Sequence, residues 1–259
     1  MLISAYIVPP SPLLLPHIGR EQSERFATTH RALKTIRASL AASMPEGVVL
    51  ISQYGVVHHG VSVNIAEKYE GSLQSFGDLT RYTFRGSPSL AHQLLEEQAR
   101  PLVSGITHLS LDYASVVALQ LCMPVVATCA IVPLYPSAAR TSQEHVRVGM
   151  ALRASLIHSV QRLALIAVGD LSHHVTDASP EEYHTEGALF DTSVMAALKN
   201  KSVRRLLEHA DRYGDEAKES GILAFLLLLG VLEGMQCTYQ QLAYEAPFGV
   251  GYLTAEYLL

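Results

Sequence analysis

The sequence predicts an α/β fold: a single domain with a mixed, mostly parallel central sheet and helices on both faces. Short apolar runs rich in β-branched residues alternate along the chain with longer segments whose apolar residues recur at helical spacing. Several short runs, such as residues 48–52 and 162–168, are apolar nearly throughout, which is typical of parallel strands buried on both faces. No linker rich in Gly, Pro or Ser divides the chain, so we expect one domain over residues 1–259.

The individual elements follow from these two patterns. Residues 20–42, for example, predict a helix because Phe26, Leu33, Ile36 and Leu40 recur at roughly helical spacing. The predicted strands cover residues 4–8, 48–52, 82–84, 107–111, 125–132, 162–168 and 247–255. The predicted helices cover residues 20–42, 89–102, 114–121, 142–159, 188–198, 202–211 and 220–232.

Composition excludes several classes of function. With 24 acidic and 19 basic side chains, the chain lacks the excess of Lys and Arg that a general nucleic-acid binder needs. Its longest apolar stretch, residues 221–232, is too short to span a bilayer, and its N-terminus lacks the basic flank of a signal peptide. We therefore expect a cytoplasmic protein that binds neither nucleic acid nor membrane. The three cysteines form no CxxC pair, which argues against a disulfide scaffold or a zinc ribbon.

The turn after the predicted strand 162–168 is the most polar of the strand ends. Ligands of open α/β sheets bind outside the carboxyl ends of the strands. Here Asp170, Ser172, His173 and His174 follow a buried strand directly, and such loops position reactive groups on a rigid scaffold. We expect His173 to be functional and the other three to line its pocket. In the alternative interpretation, Asp170 or Ser172 only caps backbone donors of an ordinary strand-to-helix turn.

Metal ligands are a second question, since histidine is a common ligand and the chain has 12. His17, His58 and His59 are weaker candidates, and surface-loop histidines are the simpler interpretation of the last two. Glu219 opens an apolar helix, where the macrodipole favours an acid; alternatively it faces the same cleft as His173 and binds a metal. Phosphate-binding Gly-rich loops, GxSxG and HExxH are absent, which disfavours dinucleotide enzymes, P-loop NTPases and serine hydrolases.

Seven segments spread over the whole chain carry a family resemblance. In chain order they are PPSPLLLPHIG, ISQYGVV, GSLQSFGD, LDYASVVALQL, GDLSHH, ESGILAFLLLLGVLEG and YEAPFGVGYLTAEY. Together they resemble the LigB-like superfamily, which contains the catalytic subunits of class III extradiol ring-cleaving dioxygenases and the Memo-type proteins. The GDLSHH turn and the C-terminal stretch are the most specific of these segments.

The resemblance implies a particular chemistry. Active enzymes of the family hold a non-haem Fe(II) with two histidines and one glutamate, leaving open positions for catechol and dioxygen. A further histidine at the GDxSH turn acts as acid and base on the bound substrate. By resemblance, the carboxylate ligand falls on Glu219 and the acid/base on His173.

This sequence departs from the family at three histidine positions. Where the family commonly carries PHPP, SPHG and DHG, it places Pro10, Tyr54 and Tyr113 at the histidines. The first two positions are iron ligands and the third lines the substrate pocket. Proline has no ligating side chain, and a phenolate suits Fe(III) better than Fe(II), with a pKa near 10 when unperturbed. The comparison predicts a degraded Fe(II) site, unless His17, His58 or His59 replaces the lost imidazoles.

Two functions remain open on these grounds. The first is a non-catalytic or metal-altered family member that binds a small polar or aromatic ligand without any cofactor. We expect it to assemble as a homo-oligomer or with a homologous subunit. The alternative is an active Fe(II)-dependent dioxygenase that opens catechol-type rings, with His173 as acid/base and a rescued metal site.

Overall fold

The structure is a computed structural model that describes residues 1–56, 58–96, 102–177, 179, 183–217 and 221–259, and only the backbone of residues 211–217. The described strands are Leu2–Val8 (β1), Gly47–Ser52 (β2), Val61–Asn64 (β3), Lys68–Leu73 (β4), Asp78–Arg85 (β5), Val103–Ile106 (β6), Ala130–Tyr135 (β7), Leu163–Val168 (β8), Thr238–Glu245 (β9) and Tyr252–Leu258 (β10). The described helices are Pro16–Gly19 (α1), Ala27–Ser43 (α2), Pro88–Leu94 (α3), Tyr113–Leu121 (α4), Ser142–His158 (α5), Thr185–Lys199 (α6), Val203–Ala217 (α7) and Ile222–Leu232 (α8). None of them is long and apolar enough to cross a membrane.

Eight of the strands form one mixed sheet, in the order β6-β3-β7-β2-β8-β1-β10-β9. The four central strands, β7, β2, β8 and β1, run parallel to one another, whereas β10 and β9 continue the sheet antiparallel. Strands β4 and β5 form a separate antiparallel hairpin. The predicted class, an α/β fold with a mixed and mostly parallel sheet, is confirmed.

Register within the central strands fixes where their loops emerge. Val168, the last residue of β8, is paired with Val8 at the end of β1 and with Ser52 at the end of β2. Every residue of β2 and of β8 is buried, as expected for strands covered on both faces. The segments after β1, β2 and β8 therefore start side by side at one edge of the sheet.

Helices cover both faces of the sheet. On one face, α3, α5, α6 and α8 contribute to a core that includes the wholly apolar α8. On the other face, α2 and α4 pack with the β4–β5 hairpin. Helices α5 and α8 cross closely at two glycines: a Cβ on Gly149 would lie 2.2 Å from the Leu227 carbonyl oxygen, and one on Gly230 would lie 2.3 Å from that of Val146.

Several predicted boundaries differ from the structure. The strand predicted at 107–111 is wrong, because the ladder to β3 is made by Val103–Ile106. After Ile106, the Asn64 side-chain amide takes the place of a neighbouring strand at His108: it donates to the His108 carbonyl and accepts from the His108 N–H. The helix predicted from residue 20 begins at Ala27, since residues 20–26 form a 3₁₀ segment. Strands β3, β4 and β9 were not predicted, and part of the helix predicted at 89–102 lies outside the described residues.

Candidate functional site

The carboxyl ends of β1, β2 and β8 bring three predicted residues to one edge of the sheet. Pro10 follows β1 by two residues, and Tyr54 and Asp170 follow β2 and β8 by the same spacing. Because the last residues of these strands are in register, the three loops are neighbours. We call this region, with Tyr113 and His173, the strand-end site.

Asp170 is the centre of the strand-end site. The Tyr54 hydroxyl donates a hydrogen bond to its Oδ2, with 3.1 Å between the oxygens. The His173 Nε2 lies 3.2 Å from Oδ1 of the same carboxylate. The Asp170 side chain is 8% exposed and that of His173 25%, so the imidazole is the more accessible partner. A phenol and an imidazole thus contact opposite oxygens of one buried acid.

Tyr113 forms the aromatic wall of the site. Its position is set by Asp112, which caps α4 by accepting a hydrogen bond from the Ser115 N–H at 2.8 Å. The same carboxylate accepts from the Ser52 hydroxyl at 2.9 Å, which joins the start of α4 to the end of β2.

The Tyr113 ring contacts two other aromatic rings. It meets Tyr54 edge to face with 5.3 Å between centroids, and Phe76 at 5.1 Å. Phe76 lies in the turn of the β4–β5 hairpin and is 40% exposed. The aromatic wall therefore runs from the carboxylate toward solvent.

Tyr113 and Tyr252 are poor sources of phenolate. Burial raises the pKa of Tyr113 to about 12, and the negative charges of Asp170 and Asp112 act in the same direction. Burial also raises the pKa of Tyr252, at the start of β10, to about 12, with the Ser11 side chain opposing the shift and Asp170 adding to it. Near neutral pH these groups are neutral hydroxyls that can donate hydrogen bonds, because deprotonation next to a carboxylate is unfavourable.

The turn after β8 is fixed by the segment that precedes β10. Leu171 N–H donates to the Gly251 carbonyl at 2.8 Å, and Gly251 N–H donates to the Ser172 carbonyl at 2.9 Å. The Ser172 hydroxyl accepts from the His174 N–H at 3.1 Å, so this side chain does cap a backbone donor. His174 is buried and its ring meets that of His184 edge to face at 4.8 Å.

The three histidines proposed as substitute ligands lie in different surroundings. His17 Nε2 is 3.0 Å from Oδ2 of Asp78, so this imidazole is bound to the β4–β5 hairpin. His58 and His59 lie in the loop after β2; the His58 carbonyl accepts from the Ser137 hydroxyl, and His59 is exposed. Among the contacts of the described residues, none joins these side chains to Asp170 or His173.

Neither of the two positions that would supply imidazoles to a two-histidine, one-carboxylate iron centre carries a histidine. At the positions that the resemblance assigns to ligand imidazoles, Pro10 offers no donor and Tyr54 offers a hydroxyl that is engaged with Asp170. Within the described ranges, no three His, Cys, Asp or Glu side chains are grouped so as to hold a metal ion. Glu219, the predicted carboxylate ligand, lies outside the described residues.

Two residues beside the turn were not predicted from the sequence. Tyr252 is part of the C-terminal segment that carries the resemblance, but no pattern marked it as facing the site. Asp191 lies on α6, fully buried, and accepts from the Ser172 N–H at 2.8 Å. The sequence does contain a pattern that marks Asp191 as buried. Asp191, Val194 and Leu198 share the face of α6 that the apolar spacing assigns to the core.

A family model matches nearly the whole chain. It is described as the catalytic LigB subunit of aromatic ring-opening dioxygenase, and it matches residues 4–255. Every segment that forms the strand-end site falls inside this range.

Two individual proteins are similar over most of this chain. Protein CA_C1420 of Clostridium acetobutylicum is 24% identical over 260 residues, which cover 95% of this chain and 55% of that protein. The chain thus spans about half the length of the curated relative it matches. The crystal structure of the uncharacterized protein JW3007 from Escherichia coli K12 superposes with a TM-score of 0.71 at 20% identity, covering 98% of this chain and 99% of that one. At that identity the likeness supports the fold alone.

Proposed function

Since this chain belongs to the LigB family, the catalytic subunits of aromatic ring-opening dioxygenases, we propose that it is a member with a degraded iron site. In this proposal it does not open aromatic rings with Fe(II). It instead uses the strand-end site to bind a small polar or aromatic molecule.

The observation that carries the proposal is the hydrogen bond from Tyr54 to Asp170. An iron-binding imidazole would need a free nitrogen directed at the metal, whereas the group at this position is a hydroxyl that donates to a carboxylate at 3.1 Å. Pro10, at the other expected histidine, brings no donor atom. Fe(II) sites with two histidines and one carboxylate depend on all three donors, so this set should hold Fe(II) poorly.

The remaining groups suit a small aromatic or polar ligand. Tyr54, Tyr113 and Phe76 offer ring faces and edges in one continuous wall. Asp170 and His173 stand at its inner end and can accept and donate hydrogen bonds to a ligand hydroxyl or amine.

The decisive experiment compares the natural chain with a double variant, Pro10→His with Tyr54→His. Both proteins are loaded with Fe(II) without oxygen, then measured for bound iron and for oxygen uptake with a panel of catechols. We expect the natural chain to hold far less than one iron per chain and to consume no oxygen above the protein-free rate. The double variant should bind more iron, because it restores the two imidazoles.

A second function, the active dioxygenase, is favoured by the pairing of His173 with Asp170. A carboxylate 3.2 Å from an imidazole can orient it toward a bound substrate, as an acid/base catalyst requires. Stoichiometric iron in the natural chain, with oxygen uptake that His173→Ala abolishes, would establish this function and overturn the first. Binding of catechol to the metal-free natural chain, followed by NMR, would support the first.

Assembly is part of the proposal. A subunit that lacks the iron ligands can act beside a homologous subunit that has them, or pair with a second copy of itself. Light scattering on the purified chain tests the second case, and a strictly monomeric chain would exclude it.

A further inference from the structure

Asp191 joins the turn that carries His173 to strand β9 of the sheet. Its Oδ1 accepts from the Ser172 N–H at 2.8 Å, and its Oδ2 accepts from the Tyr244 hydroxyl of β9 at 2.7 Å. The side chain is fully buried on α6. One carboxyl group therefore connects α6, β9 and the turn after β8.

The start of β10 is shaped to admit this carboxyl. A Cβ placed on Gly251 would lie 2.0 Å from Asp191 Oδ2, which no real side chain tolerates. Gly251 also makes the backbone hydrogen bonds that hold Leu171 and Ser172. The absence of a side chain at position 251 thus allows the acid and the turn to occupy the same space.

Asp191 also interacts electrostatically with two residues of the strand-end site. Burial raises its pKa from 3.8 to about 7, against the Ser172 amide and the Tyr244 hydroxyl, which lower it. The charges that act on it are those of Asp170, which raises the pKa, and His173, which lowers it. The Asp191 carboxyl is thus close enough to the strand-end site to interact with the charges of both groups.

We propose that Asp191 is the positioning residue of the strand-end site, holding the turn of residues 170–174 so that the His173 imidazole faces the Asp170 carboxylate. The inference rests on the proposed function only in taking His173 as a working group of that site. Sequence patterns and the family resemblance assign Asp191 no such role.

The test follows the His173 imidazole and the amides of residues 170–174 by NMR in the metal-free chain. Asp191→Ala removes the acceptor of the Ser172 N–H, whereas Asp191→Asn keeps one. We expect Asp191→Ala to displace the signals of residues 170–174 and of the His173 ring, and Asp191→Asn to leave them close to those of the natural chain. Unchanged signals in Asp191→Ala would overturn the proposal.

The control is a second Asp–His pair in the same chain. Asp78→Asn removes the carboxylate that contacts His17 at 3.0 Å. It should displace the NMR signals of His17 and leave those of His173 as they are. If both substitutions move His173 equally, the effect is a general change in net charge and the positioning role is wrong.

A third variant guards against misfolding. Tyr244→Phe removes only the hydroxyl that binds Asp191 Oδ2, and it should displace the amide signals of the turn less than Asp191→Ala does. Equal spectra for these two variants and the natural chain would also overturn the proposal. None of these measurements needs iron or a substrate, so their outcome is separate from that of the iron and oxygen experiment.

Discussion

Tyr54 and Asp170, which are 116 positions apart in the sequence, meet in a 3.1 Å hydrogen bond from phenol to carboxylate at the ends of β2 and β8. The bond exists because Ser52 and Val168 are in register, so the two loops leave the sheet at the same level. The position of the Tyr54 side chain, after β2, therefore depends on the Asp170 carboxylate after β8.

Removing this hydroxyl should weaken the native state. Tyr54→Phe keeps the ring that meets Tyr113 but loses the bond to Asp170. We expect the free energy of unfolding, measured by urea denaturation, to fall by about 1 to 2 kcal/mol, since the acceptor is charged and buried.

Tyr82→Phe is the matched control for this variant. It deletes a similar bond, from the Tyr82 hydroxyl to Asp78, in the hairpin. Both variants should lose stability, but only Tyr54→Phe should disturb the NMR signal of His173. A Tyr54→Phe protein with unchanged stability and an unchanged His173 signal would contradict this account.

The buried acid Asp191 predicts a pH dependence of stability. Burial raises the pKa of Asp191 from its ordinary value of 3.8 to about 7 in the folded chain. Between these two pH values the folded state therefore holds a proton that the unfolded chain has released. The resulting stability is fully present below about pH 4 and is lost as the pH rises through about 7. A difference of about three pH units corresponds to roughly 4 kcal/mol, as an upper limit.

Urea denaturation across this pH window tests the prediction. Relative to Asp191→Asn, the natural chain should become steadily less stable between about pH 4 and about pH 7 and then level off. Parallel curves for the two proteins would show that Asp191 titrates in the folded chain as it does in the unfolded one.

The absence of a side chain at Gly251 should matter to stability as much as the Asp191 carboxyl does. In Gly251→Ala the new methyl group would meet the Asp191 carboxylate, so we expect a loss of about 1 to 3 kcal/mol from overpacking. Gly60→Ala is the control, because its Cβ would have no neighbour nearer than 3.6 Å. Thermal unfolding of both variants makes the comparison, and an equal effect would mean that Gly251 is not sterically constrained.

His145 predicts a loss of stability in acid. It is fully buried; its Nε2 accepts from the Ser137 N–H at 3.1 Å while its Nδ1 lies 2.9 Å from the Thr141 carbonyl oxygen. Burial lowers its pKa below the usual 6.5, so the unfolded chain takes up a proton more readily than the folded one. Its contribution to stability is therefore present above about pH 6.5 and is lost as the pH falls from there toward the lower pKa of the folded state.

The corresponding variants are both on α5. His145→Gln should flatten the acid limb of the stability curve, although it is less stable at neutral pH. His158→Gln, at an exposed position on the same helix, should leave the curve unchanged. Identical acid limbs for the natural chain and His145→Gln would refute the assignment.

The sequence was sufficient for the fold class, and it marked strand ends that the structure brings together at one edge of the sheet. Continuous apolar runs such as 163–168 identify buried parallel strands, and ligand sites follow their carboxyl ends. It was insufficient for 107–111, where the Asn64 side chain bonds the backbone of His108 and only a single β-bridge joins Ser110 to Glu70. A side chain that acts in place of backbone cannot be recognised from apolar periodicity.

The residues of the site likewise divide into those that the sequence predicts and those that it does not. Asp170 and His173 follow a strand and were singled out, but Asp191 approaches them from a helix that is distant in sequence. Its contact with Ser172 depends on how α6 packs, which no local pattern specifies. The role of Glu219 falls outside the described residues and stays a prediction.

The close crossing of α5 and α8 has a consequence for any effort to redesign what this protein binds. Helix α8 is about 16 Å long and starts beside the strand-end site, where a Cβ on Gly221 would lie 2.5 Å from the Asp170 carbonyl oxygen. At its other end it is held against α5 through Gly149 and Gly230, which leave no room for a methyl group. Libraries that diversify the site should keep both positions as glycine, because a bulkier residue there would push α8, and with it the backbone beside Asp170, without touching a ligand.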